Sequence, residues 1–217
     1  MNQEDVLQKV RERIRFQFEG EGTGHDWWHI FRVVQNALTI GEKEGADLFL
    51  VELSALVHDV GDHKFHNGDE SLAEGLISEL LSKEGVAQDT IGKVNHIVKH
   101  VSYKGAEVET PMDSIEGKVV QDADRLDAIG AIGVARAFAY GGAKSRELYN
   151  PNQKPNLHLS FDDYKKDNGH TINHFYEKLL LLKDRMQTAT GKQMAAERHQ
   201  FMEQYLQQFY KEWEGSS

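Results

Sequence analysis

The stretch Leu48-Phe49-Leu50-Val51-Glu52-Leu53-Ser54-Ala55-Leu56-Val57 reads as a helix that is apolar on too many faces to lie at a surface. It runs directly into His58-Asp59, followed by Val60-Gly61-Asp62-His63. An imidazole beside a carboxylate at the end of a buried helix is costly to desolvate, because buried charge must be paired or coordinated. A shared cation offsets that cost, and a divalent first-row ion accepts imidazole nitrogen together with carboxylate oxygen. Whatever fold this chain adopts must therefore bring further donors to that corner. His29 upstream and Asp124 downstream, in Gln121-Asp122-Ala123-Asp124-Arg125-Leu126-Asp127, are the candidates.

Taken singly, each has an ordinary reading: His29 as a hydrogen-bonded core histidine, Asp59 bonded to nearby amides, Asp124 paired with Arg125 or Arg136. Taken together, and in this order, they favour one metal site. Two His and two Asp leave positions open in a six-coordinate shell, which a water and a phosphate oxygen would fill.

The rest of the chain is predicted to be helical. Residues 4–19 form an amphipathic helix with Val6, Val10, Ile14 and Phe18 on one face. A second helix runs from about His25 to Glu44 and stops at Gly45. Asp47 is placed to cap the third, and others follow over about 70–84 and 90–101. Asp113 or Ser114 caps the helix that delivers Asp122 and Asp124, which continues through Ala128 to Tyr140. Residues 141–170 hold glycines, prolines and asparagines with little period and are expected to be a lid or an unstructured segment. Helices resume over 171–214, where Met194, Arg198, Phe201, Tyr205 and Phe209 fall on adjacent turns beside Met202, Leu206 and Trp213, a stripe expected to be core. The class is all-α, a single domain over 1–217.

Composition closes off some functions. The net charge of −10, from 35 acidic against 25 basic residues, argues against sequence-independent nucleic-acid binding. It is compatible with a small anionic substrate, since a cation inverts the local field. With no cysteine, disulfides and thiolate ligands are excluded. The N-terminus lacks the pattern of a signal peptide and no apolar run approaches membrane-spanning length. A cytoplasmic protein is expected.

Three segments carry a resemblance to a known family: Gly24-His25-Asp26-Trp27-Trp28-His29-Ile30-Phe31-Arg32-Val33, Leu56-Val57-His58-Asp59-Val60-Gly61-Asp62, and Val119-Val120-Gln121-Asp122-Ala123-Asp124-Arg125-Leu126-Asp127-Ala128. The chain resembles the HD-domain superfamily of metal-dependent phosphohydrolases over most of its length. Gly133 to Gly142 and Asn173 to Leu180 look like its small bacterial subgroup with nucleotide pyrophosphohydrolase activity. The resemblance implies an HD-type helical bundle, with core motifs at about 20–130 and added C-terminal helices. It assigns His29, His58, Asp59 and Asp124 as ligands, with Asp122 and Asp127 as near alternatives to the last. It implies one divalent ion, Mn2+ first, with Fe2+, Co2+, Ni2+, Zn2+ or Mg2+ as alternatives. The family's guanosine tetraphosphate hydrolases carry Glu-Asp shortly after His-Asp. Gly61-Asp62 stands here instead, which argues against hydrolysis of a 3′-pyrophosphate.

Asp62, one helical turn beyond His58, is the candidate general base or water-orienting group. Lys64, His96, His100, Arg125, Arg146, Lys154, His174 and Lys178 are the candidate substrate contacts, Arg because it binds phosphate bidentately. Trp27, Trp28 and Tyr140 are aromatic enough to stack on a base, although such residues in helices usually serve the core. The expected reaction is hydrolysis of a (deoxy)nucleoside triphosphate to a monophosphate and pyrophosphate by a metal-activated water. The alternatives are a nucleoside monophosphatase or cyclic dinucleotide phosphodiesterase with the same site, and a nucleotide sensor with a structural metal. The expected partners are a nucleotide and, at most, a second copy of the chain; no nucleic acid or membrane is expected.

Overall fold

A computed structural model describes residues 2–20, 26–60, 71–101, 110–156 and 169–216. Among them lie nine α-helices and no strand: α1 Gln3–Phe18, α2 Trp27–Glu44, α3 Leu48–Val57, α4 Ser71–Lys83, α5 Gln88–Val101, α6 Ile115–Asp127, α7 Gly130–Ala143, α8 Thr171–Glu177 and α9 Ala189–Trp213. A 3-10 segment, Leu179–Arg185, joins α8 to α9. The fold is all-α, as the periodicity requires. None of the described helices is long and apolar enough to cross a membrane.

The helices gather into two compact units, one from Met1–Ser102 and Thr110–Asp124, the other chiefly from Arg125–Ser217. In the first, α3 is the hub and packs on α1, α2 and α5. Every residue from Leu50 to Val57 is buried, Glu52 and Ser54 included. Each large aliphatic side chain so enclosed contributes roughly 1.5–3 kcal/mol. Asp47 caps α3, its Oδ1 accepting from the N–H of Phe49 at 3.0 Å and of Leu50 at 3.2 Å. The α1 face of Val6, Val10, Ile14 and Phe18 is buried as its spacing demands. Glu52 accepts an ion pair from Arg11, and Glu84 one from Arg13, so both buried carboxylates are matched by arginines of α1.

In the second unit α9 packs against α7 and the 3-10 segment. Its buried residues are Thr190, Gly191, Ala195, Met202 and Leu206. The core face thus lies on the Met202 and Leu206 side of the expected stripe: Phe201 is 43% exposed, and Tyr205 and Phe209 are half-buried. Those two rings instead join a ladder with Phe138, Phe175, Tyr149 and Trp213. The helix of Asp124 does not continue to Tyr140. It ends at Asp127, and Gly130 at φ +74° starts α7, a conformation that costs a glycine little. Gly133 then sits so close to the chain before it that a Cβ there would lie 2.2 Å from the carbonyl oxygen of Ala128.

Part of the expected lid is ordered on this unit. Helix α7 runs to Ala143, and the N–H groups of Thr171 and Ile172 donate to the carbonyls of Glu147 and Leu148 at 3.0 and 3.1 Å. The carbonyl of Gln153 lies 3.2 Å from Nε2 of His170 and 3.3 Å from Nδ2 of Asn173. Residues 157–168 of that expectation lie outside the described residues.

Candidate metal centre

Three stretches of the first unit build the site, and the sequence dictates how each arrives. Helix α2 begins at Trp27, where Asp26 caps it: Oδ1 accepts the N–H of His29 at 2.8 Å. His29 is therefore the third residue of a capped helix, its backbone fixed and its side chain 1% exposed. His58 is the C-cap of α3, in helical conformation at φ −60° and ψ −30°. A tight turn follows, with the N–H of Val60 on the carbonyl of Val57 at 3.0 Å, and this holds Asp59 against the same corner. The C-terminal end of α3 carries the negative end of its dipole, which favours a cation there.

Asp124 comes from α6. Ser114 opens that helix, its Oγ accepting from Gly117 N–H at 3.1 Å. The side-chain amide of Gln121, one turn before Asp124, donates to the carbonyls of His100 at 2.8 Å and Thr110 at 3.1 Å. Nδ2 of Asn36 on α2 reaches the carbonyl of Ala123 at 3.5 Å. Three polar ties therefore set where Asp124 begins.

The donor atoms converge. Nε2 of His29 lies 3.2 Å from Nε2 of His58 and 3.4 Å from Oδ2 of Asp59. Nε2 of His58 lies 3.4 Å from Oδ1 of Asp59. Oδ1 of Asp124 lies 3.6 Å from Nε2 of His29 and 3.9 Å from Nε2 of His58. Ligands at about 2.0–2.2 Å from one ion stand roughly 3.0–3.5 Å apart in octahedral or tetrahedral arrangement, so these spacings suit a shared cation. Nδ1 of His58 lies 2.8 Å from the carbonyl of Ala55. That bond puts the proton on Nδ1 and leaves the Nε2 lone pair facing the cluster. Two carboxylates and two neutral imidazoles carry a charge of about −2 into a buried corner, which a divalent cation balances. His29, His58 and Asp59 are buried, whereas 27% of the Asp124 side chain is exposed. Asp124 is thus the most exposed of the four side chains.

The other expected residues fall in different places. Asp62 and Lys64 lie outside the described residues. His96 and His100 lie one turn apart on α5, ring centroids 4.8 Å apart and tilted by 45°, with His96 exposed and His100 half-buried. The remaining five belong to the second unit. Arg125 is 5% exposed and donates to the carbonyl of Arg185. Arg146 sits over the ring of Tyr140 at 5.7 Å. Lys154 is exposed on the rim of a cavity of about 330 Å3 beside Tyr149 and Tyr176. His174 and Lys178 are half-buried at the end of α8, joined by the bond from Lys178 N–H to the His174 carbonyl at 3.1 Å. Of the aromatic candidates, Trp27 is buried, while Trp28 at 58% and Tyr140 at 48% are open. Arg136 pairs with Asp127 at 2.5 Å. The supporting groups Asp26, Asn36 and Gln121 were not singled out from sequence. Asp26 carried a legible signal, an N-cap residue three positions before His29.

Known proteins share this arrangement of chain. The model of the HD domain matches residues 27–129, which span the cluster. The Bacillus subtilis protein YpgQ is 41% identical over 210 residues, 96% of this chain and 94% of YpgQ. Its crystal structure in complex with ADP matches with a TM-score of 0.76 at 40% identity, over 97% of this chain and 100% of that one. The crystal structure of an HD-superfamily hydrolase from Bacillus thuringiensis matches with a TM-score of 0.78 at 41% identity, over 98% and 99%. A Lactobacillus plantarum protein of known structure gives a TM-score of 0.85 at 35% identity, over 99% and 100%.

Proposed function

The chain belongs to the HD-domain superfamily, and from that premise we propose that it is a metal-dependent hydrolase of nucleotides, cleaving (deoxy)nucleoside triphosphates to the monophosphate and pyrophosphate. The observation that carries the reading is the convergence of the buried His29, His58 and Asp59 donor atoms at 3.2–3.4 Å, with Oδ1 of Asp124 3.6 and 3.9 Å from the two imidazoles. A relative that is a hydrolase and another that binds ADP, each matching nearly the whole chain, support the reaction class and the ligand class.

The four residues would hold one divalent ion, Mn2+ first among the candidates. Such an ion, when bound, polarises a phosphoryl oxygen and makes water a better nucleophile. The chain's own contribution is to set the donors. Ala55 fixes the His58 tautomer, Asp26 fixes the first turn of α2, and Gln121 with Asn36 fixes the approach of Asp124. Asp62 orients or deprotonates the attacking water, and basic groups, with Lys64, His96 and His100 as candidates, bind the phosphates and offset charge on the leaving pyrophosphate.

A panel of nucleotides incubated with Mn2+, its products separated by chromatography, tests the proposal. Pyrophosphate from triphosphates is the expected product. Orthophosphate from monophosphates would replace this substrate assignment with the monophosphatase reading. His58→Ala is expected to lose both metal and turnover, and Asp62→Ala to keep the metal and lose rate.

A further inference from the structure

We infer that His170 is an acid-sensitive latch in the second unit: its neutral imidazole caps α8 and holds the turn at Gln153 to that helix, and uptake of a proton releases both. His170 is the N-cap of α8. Ser, Thr, Asp and Asn are the residues ordinarily found in that place, and none of them changes protonation near neutral pH. Nδ1 of His170 lies 3.2 Å from the backbone nitrogen of Asn173. A backbone N–H can only donate, so Nδ1 is the acceptor and carries no proton. The ring proton is then on Nε2, which donates to the Gln153 carbonyl at 3.2 Å. Only the neutral Nε2–H form satisfies both partners. His170 is 2% exposed, so neither partner is exchanged for solvent unless the ring swings out.

A second proton has only Nδ1 to occupy. There it turns the acceptor into a donor that faces the N–H of Asn173, and it creates a buried cation. The described surroundings hold no counterion for it. The ring of Tyr149 stands at 90° to the imidazole, centroids 5.2 Å apart, and a phenol is neutral in this range. Beside Tyr149, the Glu147 carboxylate accepts from Nδ2 of Asn150 at 3.0 Å, and Lys154 is exposed. On α8 itself, Glu177 accepts from the N–H of Asn156 at 2.8 Å, and His174 and Lys178 are half-buried. From α9, Tyr210 and Trp213 reach Tyr149. Among the described residues, the imidazole's partners are Asn173, Gln153 and Tyr149, with no carboxylate. As pH falls through the imidazole range, the open form takes up a proton that the closed form has no place for, so acid favours opening. Helix α8 has only seven residues, and a helix that short depends on its cap and its packing. The Gln153 carbonyl also accepts from Nδ2 of Asn173 at 3.3 Å, so the turn and the first turn of α8 are released together.

Hydrogen–deuterium exchange of the full-length protein at about pH 7.5 and about pH 5.5, corrected for intrinsic rates, tests this. Protection in α8 is expected to fall by about fivefold or more at the lower pH, the factor that one N-cap bond is worth, while protection in α9 holds. His170→Asn keeps a cap that does not titrate and is expected to show no such fall. His170→Ala is expected to leave α8 poorly protected at both values. Protection of α8 in the wild type that is independent of pH, an equal fall in α9, or a fall that persists in His170→Asn overturns the inference.

Discussion

Asp26 and His29 are joined by a bond of 2.8 Å from the histidine's backbone N–H to the aspartate's Oδ1, so the cap of α2 and the first candidate ligand are one structural unit. Removing the cap is expected to cost about 1 kcal/mol of stability and to let the first turn fray. In Asp26→Ala, Mn2+ affinity measured by titration calorimetry should fall by roughly tenfold or more. Asp26→Ser, which can still accept the bond, should recover most of it. Equal affinity in wild type and Asp26→Ala would separate the cap from the metal.

The uncompensated charge in the corner makes metal and stability interdependent. Adding Mn2+ to chelator-treated protein should raise the melting temperature, by the equivalent of about 2.7 kcal/mol at a hundredfold excess over Kd. Asp59→Asn lowers the charge of the cluster, so its chelated form is expected to melt no lower than chelated wild type while its response to Mn2+ is lost. Thermal melts of both forms with and without chelator check this.

Two glycines should respond oppositely to alanine. At Gly133 the added Cβ meets the Ala128 carbonyl at 2.2 Å, so the backbone must shift, at about 1–3 kcal/mol. At Gly92, on α5, a Cβ meets nothing within 4 Å, and Gly92→Ala should stabilise by about 0.4–1 kcal/mol. Denaturant midpoints of the two variants give the comparison directly.

High pH should act through the tyrosines of the second unit. Burial first, and then the hydrogen bond with Tyr176 at 3.1 Å, hold the Tyr210 hydroxyl above the ordinary phenol range. Burial raises Tyr205 as well. The folded state therefore favours the protonated phenol. That stability is complete below the unfolded value of about 10 and is lost as pH rises through the raised folded value. Tyrosinate absorbance should appear together with loss of helical signal at alkaline pH, and Tyr210→Phe should make that loss less steep.

Much of this molecule could be read before its coordinates, for identifiable reasons. Helix α1 buries Val6, Val10, Ile14 and Phe18 and α3 buries everything from Leu50 on, because their apolar residues leave one arrangement open. Asp47 announces its helix because an aspartate before an apolar run has few better uses. Periodicity alone admits a start of α2 at about His25, whereas Asp26, an N-cap residue three positions before His29, marks the start at Trp27. The break at Gly130 was missed because alanine and glycine on both sides suit either a continuous helix or a new one. In α9 aromatic residues occupy several faces, so spacing does not select the buried one. Met202 and Leu206 took that place through packing within the second unit. Likewise, the side chain of Gln121 is tied to the main-chain carbonyls of His100 and Thr110, and no sequence period encodes such ties.

The enclosure of α3 has a temporal side. A helix surrounded on every face has no local route for opening, so its amide protons from Leu53 to Val57 should exchange with deuterium at the slowest rate in the first unit, set by the unfolding of that whole unit. The ends of α1 and the exposed side of α4 can fray many times in that interval, and the His58-Asp59 pair would keep its geometry throughout.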